Sequence, residues 1–171
     1  MGIPNNIPCG NCMLIAVTQS NVWFIEELFR HDDVKKYYVL RDDHAANIRS
    51  FCQYIVNSNI QNASLNYIIF NDYGDEVGFI SAEPVMNRAT GMPMWNVGYA
   101  VHPAHRRKGY ASSAVTGLSN YLLQNFSFQQ VMLDICEENI ASNNVAKKCG
   151  FSKPDDRTGY FDMEHPEIGM R

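Results

Sequence analysis

Two hydrophobic periods run along the chain, one typical of α-helices and one typical of β-strands. Apolar residues recur at helical spacing over 21–30 and again over 48–56, where we expect Asp42 and Asp43 to cap the helix. The residues that flank the turn 71–75 favour an antiparallel hairpin. Short apolar runs predict strands over 13–17, 65–70, 77–81, 95–101 and 131–136.

The longest helical stripe follows Gly109 and predicts a helix of about twenty residues. Its apolar positions are Ala111, Ala114, Val115, Leu118, Tyr121 and Leu122. A shorter helix is predicted over 141–149 and ends at Gly150, because glycine is common just after a helix terminus.

The remaining segments carry weaker patterns. We expect an irregular loop over 84–93, a bulge or a close backbone approach at Gly98, and little regular structure after 152. With no repeat and no linker composition, the chain is expected to form a single domain over 1–171. The order of elements predicts an α+β fold with a mixed sheet.

Composition and charge narrow the class of protein. Hydrophobic residues make up 46% of the 171 positions and charged residues 19%, which is typical of a globular domain. A net charge of −4 argues against a broad basic face, so we expect no nucleic-acid partner. Because no long apolar run and no leader pattern occurs, we expect neither a membrane span nor a signal peptide.

The five cysteines are odd in number and irregularly spaced, which favours a reducing, cytoplasmic location over a disulfide framework. Cys9 and Cys12 form a C-x-x-C pair before the first predicted strand. A redox pair would need a following helix, and a zinc site would need a second close pair of ligands. We therefore interpret this pair as part of an ordinary N-terminal segment and expect no metal.

The segment 101–111 joins a strand to the long helix and concentrates positive charge. Arg106, Arg107 and Lys108 precede Gly109 at a helix N-terminus, where unpaired N–H groups and the helix dipole attract anions. Gly109 and the small Ala111 let a ligand approach the backbone closely. The alternative is a solvated basic cap on an ordinary turn. The segment matches neither the Walker nor the G-x-G-x-x-G pattern, which leaves the pyrophosphate of coenzyme A as the obvious anion.

These motifs resemble those of the GNAT family of acetyltransferases. The run 106–111 resembles the family's Q/R-x-x-G-x-G/A turn, and 98–103 is similar to the strand before it. Thirty residues on, 139–142 and 147–151 resemble the second motif, in the N-x-x-S form of the branch that acetylates ribosomal-protein N-termini. The resemblance covers about 12–151 in element order and is most specific over 97–151.

The resemblance implies a mostly antiparallel mixed sheet, flanked by helices, that splays at the strand ending near Val101. The exposed strand edge would hold the pantetheine arm of acetyl-CoA, with the Val101 N–H beside the thioester carbonyl. Amides from Arg107 to Ala111 would hold the pyrophosphate, and Asn139 would bind pantetheine or only cap a helix. The implied cofactor residues are Tyr99, Val101, Arg106, Arg107, Lys108, Gly109, Tyr110, Ala111, Asn139 and Ser142.

Transfer to an amine needs a base, since the amine must be neutral to attack the thioester directly in a ternary complex. The candidates are Glu83, Glu137 and Glu138, of which Glu83 is favoured because its strand end should face the acyl group.

The thiolate leaving group needs a donor. The tyrosine that many relatives carry is replaced by Ala146, and the resemblance implies Ser142 instead. The alternatives are a capping role for Ser142 and a hydroxyl from Tyr160.

The resemblance also limits what can be expected of the acceptor. It implies a primary amine, either a protein N-terminus or a small molecule. The tail after Phe151 is short, so a partner subunit in a homodimer would complete the acceptor site. The competing hypothesis is a GNAT-shaped protein that binds acetyl-CoA without turnover.

Overall fold

The computed structural model describes residues 2–38, 40–88, 90–136 and 138–152, and the backbone of 160–164. The strands are β1 Asn6–Cys9, β2 Cys12–Ala16, β3 Leu65–Asn71, β4 Glu76–Met86, β5 Pro93–Val101, β6 Gln130–Asp134 and β7 Tyr160–Glu164. The helices are α1 Trp23–Leu28, α2 Asp32–Tyr37, α3 Asp42–Ala46, α4 Ile48–Ile60, α5 Tyr110–Asn125 and α6 Ile140–Lys148, with a 3-10 turn at Pro103–His105.

The seven strands form one sheet in which their spatial order follows their order along the chain. Every neighbouring pair is antiparallel except β5 and β6, which run parallel because α5 carries the chain back between them. The predicted α+β class and the predicted mostly antiparallel mixed sheet are confirmed. The strands predicted over 65–70, 77–81 and 95–101 correspond to β3, β4 and β5, which pair in that order.

Helices cover both faces of the sheet, and a buried apolar cluster lies under each layer. On one face, α5 packs Ala114, Leu118 and Leu122 against the sheet, close to the α6 residue Ala146. On the other face, α1 and α4 bury residues that include Phe29. The stripe after Gly109 therefore belongs to the core, as predicted, although α5 has 16 residues rather than about twenty.

The N-terminal C-x-x-C pair is a hairpin turn. Cys9 and Cys12 are paired across β1 and β2, and Gly10 lies between them in the left-handed region at φ 56°. A Gly-Asn turn between two strands is typical of a tight two-residue hairpin. Of these two strands, the sequence predicted β2 and not β1, because β1 has four residues and contains Pro8.

The predicted second helix is two helices. Asp42 and Asp43 open α3, whereas the apolar stripe belongs to α4, which begins after Asn47. The Asn47 side chain accepts a hydrogen bond from the Arg49 N–H, so Asn47 is the residue that caps this helix. The short helix α2 was missed, since six residues with one buried apolar side chain give no periodic signal.

The predicted loop over 84–93 begins too early, since residues 84–86 continue β4 and Pro84 pairs with Trp95. Of the two alternatives at Gly98, the bulge does not occur, because the β4–β5 register is continuous there, and a register shift lies instead between Ile69 and Phe70. Beyond 152, where the sequence pattern is weak, the backbone of β7 pairs with β6 along its whole length.

Candidate functional site

The parallel strands β5 and β6 separate soon after they meet. Their register joins Trp95 to Val131 and Asn96 to Met132, and no further pair follows in the described residues. Beyond Asn96, the two strands bound a cleft of about 880 Å³. The N-terminal turns of α5 and α6 close its ends, so the predicted splay of the sheet is confirmed.

One edge of β5 faces this cleft with unpaired backbone groups. The His102 N–H donates to the Val77 carbonyl at 2.8 Å, which fixes the alternation of the β4–β5 ladder. In an antiparallel ladder, successive residues direct their N–H and C=O groups to opposite sides. Beyond the last pair with β6, the main-chain groups of Tyr99 and Val101 therefore face the cleft. An extended ligand can add to such an edge as a strand would.

The turn before α5 presents a row of free amides to the same cleft. Gly109 is the N-cap of α5 at φ 81°, and Arg107 also lies in the left-handed region at φ 64°. Within the described residues, the N–H groups of 107–112 donate to no protein acceptor. A side chain at Gly109 would be strained at this φ, and its Cβ would lie 3.6 Å from Asn11 Nδ2. The arrangement suits an anion with several oxygens.

The basic residues of this turn differ in their surroundings. Arg106 donates from Nε to the Val101 carbonyl at 3.1 Å, and its guanidinium lies 3.8 Å from the Asp33 carboxylate. The carbonyl of Val101 is therefore engaged, whereas its N–H is not. Arg106 and Arg107 line the cleft, as do Gly109, Tyr110 and Ala111.

Lys108 does not line the cleft, although the sequence placed it in the same motif. Its carbonyl accepts a hydrogen bond from Asn11 Nδ2 at 3.0 Å. The hairpin between β1 and β2 therefore supports the anion-binding turn from behind. No sequence pattern predicts this contact, since the two residues are 97 positions apart.

The first turn of α6 brings Asn139 and Ser142 to the cleft. Asn139 caps the helix, because its Oδ1 accepts from the Ser142 N–H at 3.2 Å. Ser142 Oγ takes no part in this cap and accepts instead from the Tyr99 hydroxyl at 2.8 Å. Burial raises the pKa of Tyr99 to about 12. All three residues line the cleft.

Of the two candidate bases that the structure describes, Glu83 is the one that lies at the cleft. It lines the cleft from β4 and is exposed there. Glu138 is exposed and does not line the cleft. Glu137 and the side chain of Tyr160 lie outside the described residues.

A smaller cavity of about 140 Å³ adjoins the cleft and shares Tyr38, Ser81 and Glu83 with it. Its further walls include Arg41, His44, Phe51, Tyr54 and Ile55. The Tyr38 and Ser81 hydroxyls are 3.2 Å apart, and burial raises the pKa of Tyr38 to about 12. Tyr38 and Ser81 were not predicted from the sequence, because neither belongs to a spaced motif. The cavity forms only in the folded chain, where α3 and α4 supply its walls.

The chain matches the acetyltransferase (GNAT) domain family over residues 14–152. No curated protein sequence matches it. Among solved structures, it is similar to RimL, a ribosomal-protein alpha-N-acetyltransferase in complex with coenzyme A, with TM-score 0.73 and 15% identity over 93% of this chain and 97% of that one.

Two further structures share the fold at similarly low identity. Mycobacterium smegmatis RimJ in complex with CoA-disulfide has TM-score 0.75 and 14% identity over 96% of this chain and 88% of that one. The aminoglycoside acetyltransferase AAC(6')-Ib in complex with coenzyme A has TM-score 0.71 and 15% identity over 90% and 94%. Since the family match covers most of the chain, this protein belongs to the GNAT acetyltransferase domain family.

Proposed function

We propose that this protein transfers the acetyl group of acetyl-CoA to a primary amine by direct attack in a ternary complex. The observation that carries the proposal is the cleft between β5 and β6, where a free strand edge leads to a row of free amides. Coenzyme A offers matching chemistry, an extended arm of amides followed by a pyrophosphate. Acetyl-CoA supplies an activated acetyl thioester.

The residues present fit this ligand at both ends. The free N–H groups of 107–112 can donate to a pyrophosphate, which can approach the backbone at Gly109. Arg106 and Arg107 add positive charge. The main-chain N–H and C=O groups of Tyr99 hydrogen-bond to the pantetheine amides. Asn139 keeps its Nδ2 group for the same arm while its Oδ1 caps α6.

Three groups share the chemistry of transfer. The free Val101 N–H donates to the carbonyl oxygen, where negative charge develops in the transition state. Glu83 removes a proton from the attacking amine, directly or through water. The Ser142 hydroxyl donates to the leaving sulfur. Each group lies on the cleft wall, and none depends on a metal ion.

The acceptor enters from the side of the smaller cavity. That cavity shares Glu83 with the cleft and is lined by aromatic rings and by Arg41. The family neighbours include acetyltransferases of ribosomal proteins and of aminoglycosides, so the acceptor is a protein N-terminus or a small-molecule amine. A second copy of the chain would complete this site in a homodimer.

The five cysteines are free thiols, and three of them are buried. This suits a reducing compartment, and we place the protein in the cytoplasm. Among the described residues, no helix combines the length and apolarity needed to cross a membrane.

A screen for amine-dependent thiol release tests the proposal. The protein is mixed with acetyl-CoA and a panel of peptide N-termini, aminoglycosides and polyamines, and free coenzyme A is measured with a thiol reagent. We expect release above the hydrolytic background with at least one amine. Acetyl-CoA binding without release for any amine supports the competing hypothesis of a non-catalytic binder.

A further inference from the structure

Tyr99 and Ser142 are joined across the cleft, between β5 and the first turn of α6. Tyr99 lies on β5, beyond the last residue that pairs with β6, and Ser142 lies in the first turn of α6. Their hydroxyls are 2.8 Å apart, with Tyr99 donating. The hydrogen bond therefore spans the gap that the splayed strands leave open.

The hydroxyl hydrogen of Ser142 is not used by the hydrogen bonds described so far. Its N–H donates to Asn139 Oδ1, and its Oγ accepts from Tyr99. Among the described residues, nothing accepts the hydroxyl hydrogen of Ser142. Because the Ser142 oxygen accepts from Tyr99, its own hydrogen is free to turn to another acceptor, and Ser142 lines the cleft.

We infer that Tyr99 is a positioning residue for Ser142, orienting its hydroxyl toward the sulfur of the bound thioester. This inference rests on the proposed function. Tyr99 donates to Ser142 Oγ, and the Ser142 hydroxyl in turn donates to the sulfur. Hydrogen bonds in such a chain strengthen one another. The hydroxyl of Tyr99 thereby acts on the leaving group without touching it.

The proton balance of the step is simple. Ser142 Oγ–H donates a hydrogen bond to the sulfur, which keeps the electron pair when the carbon–sulfur bond breaks. The amine nitrogen bonds to the acetyl carbon and loses a proton to Glu83. Solvent later protonates the thiolate, so neither Ser142 nor Tyr99 changes its charge.

The electrostatics of Tyr99 suit a permanent donor. Burial raises the pKa of its phenol to about 12, so the hydroxyl keeps its proton at neutral pH and above. A hydrogen bond from a neutral phenol to a serine oxygen therefore persists throughout the range in which an amine becomes nucleophilic.

Binding of coenzyme A tests the inference without turnover. The affinities of coenzyme A and of desulfo-coenzyme A are measured by calorimetry at pH 7 and pH 9. In the wild type, we expect the affinity of coenzyme A relative to that of the desulfo ligand to rise about tenfold from pH 7 to pH 9. The thiol ionises over this range, and Ser142 donates to the thiolate. Ser142→Ala should abolish the gain, and Tyr99→Phe should reduce it to below about threefold.

Tyr73→Phe is the matched control, since Tyr73 is 88% exposed in the β3–β4 turn. It makes the same chemical change far from the cleft and should behave as the wild type. A structural role, in which Tyr99 only ties α6 to β5, predicts instead that Tyr99→Phe weakens both ligands equally at both pH values. That outcome overturns the inference.

A double-mutant cycle supplies the kinetic test once an acceptor is known. We expect Tyr99→Phe to lower kcat by about 3–10-fold with little change in the acetyl-CoA KM. In the Ser142→Ala background the same change should have no further effect, because Tyr99 acts through Ser142. Additive losses contradict the inference. If the wild type turns over no amine, the proposed function fails, and the binding experiment still decides the role of Tyr99.

Discussion

At the scale of single residues, Asn139 and Ser142 have different roles in the first turn of α6, and the sequence did not show which residue caps the helix. The N-x-x-S spacing predicts that Asn139 and Ser142 share one helical turn, but both residue types are good helix caps. The structure makes Asn139 the cap and leaves Ser142 Oγ to the cleft. The partner of that oxygen, Tyr99, could not be predicted, since it lies 43 positions away on another element.

Ser142→Ala tests the proposed donor at the leaving group. We expect kcat to fall by about 10²-fold while the acetyl-CoA KM changes little, since the interaction is made mainly in the transition state. Stability should change by no more than about 1 kcal/mol, because Ser142 Oγ does not cap α6. Steady-state kinetics and a thermal melt measure the two effects.

Ser20→Ala is the control, because Ser20 is exposed and, among the residues that the structure describes, its hydroxyl bonds to Thr18 alone. It should match the wild type in both assays. Wild-type kcat in the Ser142 variant would refute the role of this hydroxyl and direct attention to a water molecule.

At the scale of elements, the connection from β5 to α5 was the most predictable part of the site. A strand pattern, a basic turn with glycine and a long apolar stripe occur in sequence, and each has a local physical cause. The support from Asn11 was not predictable, because it comes from the distant β1–β2 hairpin. The same limit applies to β1 and α2, which are too short to show a period.

Gly109→Val tests the row of amides at the start of α5. A valine there is strained in the left-handed region and meets Asn11, which holds the turn, so the amides should shift and acetyl-CoA affinity should fall at least about a hundredfold. Calorimetry measures the affinity, and circular dichroism checks that the variant is folded.

Gly74→Val is a matched control for backbone strain. Gly74 has φ 85° in the β3–β4 turn, and nothing lies within 4 Å of an added Cβ. Both variants should lose about 1–3 kcal/mol of stability, and only the Gly109 variant should lose affinity. Equal affinity in the two folded variants would show that the turn is merely a structural cap.

At the scale of the whole molecule, the cleft depends on where two strands part. Local patterns predicted β5 and β6 as strands, and the family resemblance supplied their separation. The parting after Asn96 itself arises from long-range packing, with α5 on one face and β7 holding β6 on its far side. The strand β7 was missed because the sequence after 152 has no clear period.

Acetyl-CoA should stabilise the folded protein, because a ligand that binds only the native state shifts the unfolding equilibrium. At a concentration about a hundredfold above Kd, the expected gain of about 2.7 kcal/mol raises Tm by roughly 5–10 °C. Differential scanning calorimetry measures the shift. The Gly109→Val variant should show none, whereas an equal shift in that variant would place the ligand elsewhere.

The central claim is that the cleft between β5 and β6 delivers an acetyl group to an amine. The most direct test incubates the protein with isotopically labelled acetyl-CoA and the best amine of the screen, and follows the label by mass spectrometry. We expect label on the amine nitrogen in step with released coenzyme A, and loss of both in Gly109→Val. Tight binding of acetyl-CoA with no labelled product from any amine would contradict it.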